Sequence, residues 1–223
     1  ADTAARMAWE SAPGSSAAGV QSFIDITSYA SDDLAAGDGD WNAGDVFIIT
    51  ELVHTNNFLT RAPGQTNSQF PNPLWTADAL ADFYVWADSA TASAEANLGD
   101  DALVEDLGST TNIRFWETWN LPPGGCDGAQ GSPNPLGTSC DDIFRTDLAD
   151  FAALSFDLDG YRYTIKFGLA PGPSTGNPAF PTSLVCTSEG CSDAVSSVEE
   201  IPDDEIWVFT PETQPGTSSL FVT

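Results

Sequence analysis

The stretch LSFDLDGYRYTIKF, residues 154–167, decides the fold class. Leu154, Phe156 and Leu158 alternate with polar residues on one arm, and Tyr161, Tyr163, Ile165 and Phe167 alternate on the other. Successive side chains of an extended strand point to opposite faces, so a period of two marks a strand with one apolar face. Between the arms stands Asp159-Gly160, a pair that accepts the positive φ angles of a tight hairpin turn. The spacing predicts an antiparallel hairpin.

Outward from this hairpin the same signals recur. Residues 22–26 read as an apolar strand, and VFIITELVH, residues 46–54, is apolar on both faces, which marks it as a central strand. A polar, proline-punctuated loop follows over residues 56–73. In residues 74–87, Phe83, Val85 and Ala87 alternate with Tyr84 and Trp86 as in a strand, although the first half also suits a helical turn. Residues 88–112 read as a loop with a short helix, and 113–119, 206–209 and 219–222 as strands. Gly and Pro total 34 of 223 residues, a composition of short strands joined by turns. The expected fold is all-β: one antiparallel β-sandwich over residues 1–223, jelly-roll or immunoglobulin-like, with long loops and two local disulfides. No internal repeat or linker divides it.

Thirty-three acidic residues against six basic ones leave a net charge of −27, and Lys166 is the only lysine. Such a surface repels phosphate backbones and anionic lipid, which excludes nucleic acid as a natural partner. No run reaches the roughly 18 apolar residues that a membrane span needs. The chain begins Ala1-Asp2-Thr3, without a Met, a basic segment or an apolar stretch. It reads as the mature end left by signal-peptide removal from an exported protein.

Cys126 and Cys140 enclose a loop rich in Gly, Pro, Asn and Ser, and Cys186 and Cys191 enclose Thr-Ser-Glu-Gly. An even count in turn-rich segments of an exported chain predicts disulfides. Three connectivities exist in principle; 126–140 with 186–191 is expected, because each closes a short loop that is otherwise soft. Each pair should hold its Cα atoms within roughly 4.4–6.8 Å. Zinc is disfavoured, since there is one histidine and the cysteine spacings do not match zinc sites.

Three groups are candidates for chemistry. The acidic turn around Asp38, Asp40, Asn42 and Asp45 offers oxygen ligands at near-alternate positions, with glycines that permit tight wrapping. That is the ligand chemistry of Ca2+, although the bland reading is an acidic turn introducing a strand. His54, the only histidine, is expected to hold a turn together with Asn56 and Asn57, or else to help bind a ligand. No nucleophile elbow accompanies it. Glu117 lies among aromatics in FWETWN, but no second acid is spaced to form the pair that glycoside hydrolysis uses. It is expected to be a buried or semi-buried carboxylate that receives hydrogen bonds from a neighbouring loop. No catalytic residues are assigned, and the chain is read as a non-enzyme.

Taken in order, several landmarks resemble the THxN family of PEP-CTERM proteins, which are bacterial exported surface proteins. Trp9-Glu10 followed by Gln21-Ser22-Phe23 is similar to the family's opening pattern. Val53-His54-Thr55-Asn56 matches the histidine and asparagine of Thr-His-x-Asn, with Val53 in the threonine's place. Phe115 to Asn120, the segment beginning Cys140-Asp141-Asp142-Ile143-Phe144, Cys186 to Cys191, and Thr210-Pro211-Glu212 follow in the family's order. The resemblance implies export and a cell-surface or matrix location, not a known activity. The expected role is an extracellular structural protein that associates with itself as a filament or matrix subunit, with calcium as a stabilising ion. The alternative is a module that binds surface polysaccharide through exposed Trp and Asn around His54. Leu220, Phe221 and Val222 form a terminal strand suited to pairing within its own sheet or to completing a neighbour's.

Overall fold

The computed structural model describes residues 2–11, 14–15, 17–28, 44–60, 74–85, 103–118, 120, 141–172, 183–193, 198, 201–210 and 215–222. Within them the chain is all-β, with thirteen strands in three antiparallel sheets. The first five strands are β1 (Asp2–Glu10), β2 (Gln21–Ser28), β3 (Phe47–Thr55), β4 (Leu74–Val85) and β5 (Val104–Trp116). Then follow β6 (Asp142–Asp147), a 3-10 helix over Leu148–Phe151, β7 (Leu154–Leu158), β8 (Tyr161–Ile165) and β9 (Phe167–Pro171). The last are β10 (Leu184–Thr187), β11 (Gly190–Cys191), β12 (Glu205–Thr210) and β13 (Pro215–Val222).

A five-stranded sheet runs in the order β1-β2-β3-β13-β9, and a six-stranded sheet in the order β11-β10-β12-β6-β5-β4. β7 and β8 form a separate two-stranded ribbon. β3 is the middle strand of its sheet, as its two-sided apolar pattern predicts. The first half of β4 is strand rather than helical turn, and β5 begins at Val104, inside the region read as loop and short helix. The reason is tertiary: the long antiparallel register from Leu74↔Trp116 to Val85↔Val104 satisfies backbone groups that the polar sequence of β5 does not advertise.

The core lies on both faces of β12, whose six residues are all buried. On one face Trp207 and Phe209 pack with Ile143, Leu184, Cys186 and Ile201. On the other, Ile206 and Val208 pack with Val185, Phe144 and Phe151, and Leu169 reaches them from β9 of the other large sheet. Burying a Phe or Leu side chain contributes roughly 1.5–3 kcal/mol, so these clusters anchor the six-stranded sheet.

The buried carboxylate of Glu205 is paired. Arg145 grips both carboxylate oxygens of Glu205 at 2.8–3.0 Å, and Trp207 Nε1 donates to the same group at 2.5 Å. Arg114 Nη2 adds a contact at 3.2 Å to Glu205 and donates to Asp147. Burial pushes the Glu205 carboxyl up, but the hydrogen bonds from Trp207 and Arg145 and the charges of Arg145 and Arg114 outweigh it and hold the group ionised.

Cys186 and Cys191 form a disulfide between facing residues of β10 and β11. Their Cα atoms are 3.9 Å apart, closer than the expected range. The bond spans directly opposed residues of an antiparallel pair, where backbones already approach to about 4.5 Å at the narrow positions. Cys126 and Cys140 lie outside the described residues.

The predicted hairpin is present, with Leu154↔Ile165, Phe156↔Tyr163 and Leu158↔Tyr161 in register. Asp159 and Gly160 both take positive φ, 52° and 81°. The second arm ends earlier than expected: β8 stops at Ile165, and Phe167 starts β9, which pairs with β13. Leu220, Phe221 and Val222 pair with Leu169, Gly168 and Phe167 on one side and with Thr50, Ile48 and Phe47 on the other. The terminal strand is therefore seated within its own sheet rather than held free for a neighbour.

Two outcomes follow from this geometry. Gly160→Val should lower stability by about 1 kcal/mol or more, because a β-branched residue resists positive φ although no atom stands within 4 Å of the new Cβ; an unchanged melting temperature would contradict the turn. Deleting residues 220–223 should open the five-stranded sheet and abolish cooperative melting, since it strips ladder partners from both β3 and β9; a folded truncated monomer would show that β13 is dispensable.

Candidate functional site

Strand register assembles the site from distant segments. Met7 and Ile24 pair across β1 and β2, and Ile24 pairs with His54, so these three share one face of the five-stranded sheet. Trp9 and Ser22 pair two residues further along on the same face. Opposite stand Phe115, Phe144 and Val208, mutually paired across β5, β6 and β12, and beyond them the pair Asp142 and Thr210.

His54 sits in this seam and is 3% exposed. Its ring stacks on Trp9 at a centroid distance of 5.4 Å and meets the edges of Phe144 and Phe115 at 4.9 and 5.6 Å. Trp9 lies 4.3 Å from Phe115, which stacks on Phe144 at 4.5 Å. His54 Nδ1 and Thr210 Oγ1 share a hydrogen bond of 2.7 Å, which joins β3 to β12. Trp9 Nε1 donates to Glu117 Oε2 at 2.6 Å and joins β1 to the end of β5. Both bonds cross from one large sheet to the other.

A second ring of polar contacts surrounds them. The backbone N–H of Thr118 donates to Asp142 Oδ1 at 2.8 Å, and Thr118 Oγ1 donates to the Asp141 carbonyl at 3.2 Å. Asn57 N–H donates to Ser22 Oγ at 3.0 Å, and Asn57 Nδ2 to the Gln21 carbonyl at 2.8 Å. Asn120 N–H donates to the Leu59 carbonyl, next to a parallel bridge between Thr60 and Asn120, and Thr60 N–H donates to Ser11 Oγ. Asn56, Glu117, Asn120, Asp141 and Asp142 are each buried to 1% exposure or less. The bonds of Ser11, Ser22, Asn57, Thr118 and Asp142 tie these segments together, whereas the buried side-chain amides of Asn56 and Asn120 and the Thr60 hydroxyl have no hydrogen-bond partner among the described residues.

The sequence expectations divide here. His54, Asn56, Asn57 and Glu117 come together as one region. His54 bridges two sheets, however, instead of holding a turn, because Thr210 faces it from β12. Glu117 accepts from the indole of Trp9 on β1. Trp and Asn around His54 do not form an exposed face: His54 and Asn56 are buried and Trp9 is half-buried. Asp142 and Thr210 were not singled out as site residues; both stand in segments that carry the family resemblance, which was the signal available. Asp38, Asp40 and Asn42 lie outside the described residues, and Asp45 is half-buried just after Gly44. Among the described residues, no group of three or more His, Cys, Asp or Glu side chains could hold a metal ion. Among them too, no helix is long and apolar enough to cross a membrane.

Comparison with family models, with curated proteins and with solved structures finds no match to this chain.

Burial pushes the His54 imidazole from 6.5 down to about 3. Asp142 Oδ2 lies 3.8 Å from Nε2, but desolvation of the buried ring dominates and the imidazole is neutral. In the unfolded chain the ring takes up a proton below about 6.5, whereas the folded chain binds none until about 3. The unfolded state thus holds more protons, and the stability that His54 contributes is lost as pH falls from about 6.5 toward 3. The stability gap between the wild type and His54→Gln should therefore shrink by about 1 kcal/mol per pH unit between pH 6 and 4 in urea titrations; a constant gap would show that His54 is not held neutral.

Proposed function

We propose that this chain is an exported, non-catalytic structural protein of a bacterial surface or extracellular matrix, folded as one sandwich domain and associating with copies of itself. The observation that carries this reading is where its chemistry-bearing residues go. Trp9, His54, Asn56, Glu117, Asp142 and Thr210 serve a sealed joint between two sheets, and His54 has no open approach for a substrate. Five landmarks of the THxN resemblance, far apart in sequence, contribute residues to that joint, which supports membership of that family, while the Cys186–Cys191 segment packs on the opposite face of β12. A disulfide between Cys186 and Cys191 fits an oxidising compartment.

Self-association draws support from β4. It is twelve residues long, ends the six-stranded sheet among the described strands, and presents Leu80 at 78% exposure. A long edge with an exposed apolar residue is a template for another chain. Calcium at Asp38, Asp40, Asn42 and Asp45 belongs to the same proposal, as a means of neutralising part of a net charge of −27.

Electron microscopy and sedimentation of the purified protein, with and without millimolar calcium, test this reading. Fibres or large oligomers are the expected result, and monodisperse monomers at all concentrations would overturn it. Calcium should also raise the melting temperature of the wild type but not of Asp40→Ala; equal gains in both would assign the effect to general screening.

A further inference from the structure

Three segments converge where β1, β3 and β5 run out. Beyond His54 the alternation of β3 continues to buried Asn56, and Asn57 is tied through its N–H and its side-chain amide to Ser22 and Gln21 of β2. Ser22 pairs with Trp9, whose indole reaches Glu117 just past β5. Two residues beyond Trp9, Ser11 Oγ accepts from the Thr60 N–H at 3.2 Å. Three residues beyond Glu117, Asn120 bridges Thr60, and its N–H donates to the Leu59 carbonyl at 2.8 Å. Bonds therefore hold residues 9–11, 56–60 and 117–120 against one another.

At this junction Asn56, Thr60 and Asn120 are each 1% exposed or less. Their side chains carry five polar atoms: Oδ1 and Nδ2 of each asparagine and Oγ1 of the threonine. Among the described residues, none of the five meets a hydrogen-bond partner. The backbone N–H groups of Thr60 and Asn120 are bonded, so these side chains are orphaned on segments that are themselves held in place. A polar group taken out of water and left unbonded opposes folding, and native interiors carry few of them. Five on three neighbouring segments point to a guest that bonds them.

We infer that Asn56, Thr60 and Asn120 form a binding site for internal water. The chemistry of the orphaned atoms selects this guest. Each carboxamide presents an acceptor and a donor, and the hydroxyl presents both. A cation engages the oxygens and leaves both NH2 groups pointing their positive hydrogens at it, whereas an anion engages the NH2 groups and strands the oxygens. Water both gives and takes hydrogen bonds. A buried water makes about three of them, so about two waters suit five atoms. A larger hydroxylated ligand, such as a sugar, finds no exposed face of these side chains to enter by. The waters tie the continuation of β3 to the end of β5 through directed bonds, as the His54–Thr210 bond ties β3 to β12. The site does not depend on self-association.

A crystal structure of the wild type, at a resolution that shows ordered solvent, tests the site. Waters are expected within roughly 2.7–3.2 Å of these side-chain atoms, touching at least two of the three residues. Protein atoms in bonding contact with the amides, or a dry junction, would overturn it. A peak surrounded by six or more oxygens at roughly 2.3–2.6 Å would overturn water in favour of calcium. Oxygen-17 relaxation dispersion supplies the test in solution. Thr60→Val with Asn120→Leu removes three of the five polar atoms at similar volume, and the variant should hold fewer long-lived waters than the wild type. Equal numbers in the two folded proteins would overturn the site. Should the double variant fail to fold, the wild-type density decides.

Discussion

The hydrogen bond between His54 and Thr210 passes from the middle strand of one sheet to the most buried strand of the other, and the packing around it depends on that crossing. The ring is walled by Trp9, Phe115 and Phe144, which removes water and forces the imidazole into its neutral form. A neutral ring with one nitrogen bonded can be buried at modest cost, whereas a charged one could not. Trp9 repeats the device with its indole N–H on Glu117. An apolar seam alone would let the two sheets slide, because hydrophobic burial has no preferred direction. Polar bonds at fixed positions within it set a register.

The outer parts of the protein obey a different constraint, which is scarcity of positive charge. Arg6 binds Asp25 and also lies over the Phe23 ring at 4.1 Å, while Arg145 binds Glu205 and covers Trp207 at 4.6 Å. Each guanidinium thereby serves a carboxylate and an aromatic at once, a geometry that a lysine ammonium does not supply. Carboxylates elsewhere repel one another over about a Debye length, ~10 Å at 0.1 M salt.

Much of the β architecture was legible because alternation is a local property. The Asp159-Gly160 hairpin, the central place of β3 and the strand at residues 206–209 follow from side-chain pattern and turn chemistry that lie within a few residues. β5 was not legible from Val104 to Asn112, since a polar edge ribbon is held by backbone pairing with β4, which the side chains do not announce. β1, β6, β9 and β10 were likewise unassigned, being short or mixed in polarity and stabilised by their neighbours. At the site, His54 and Glu117 attracted notice as rare residue types in aromatic settings. Asp142 and Thr210 did not, because Asp and Thr are common and nothing in their local sequence marks them as inward-facing.

By itself, the sequence determined the all-β class, the tight hairpin, the acidic surface and the residues from which a buried joint could be made. These depend on residue type and on spacing of two, both readable along the chain. Tertiary structure alone decided that Trp9, His54, Glu117, Asp142 and Thr210 meet, since their partners lie 68 to 156 residues apart and are set by sheet order. It also decided that β13 lies between β3 and β9. Strand order and long-range pairing arise from the summed burial and hydrogen bonding of the whole chain, which no local window of residues contains.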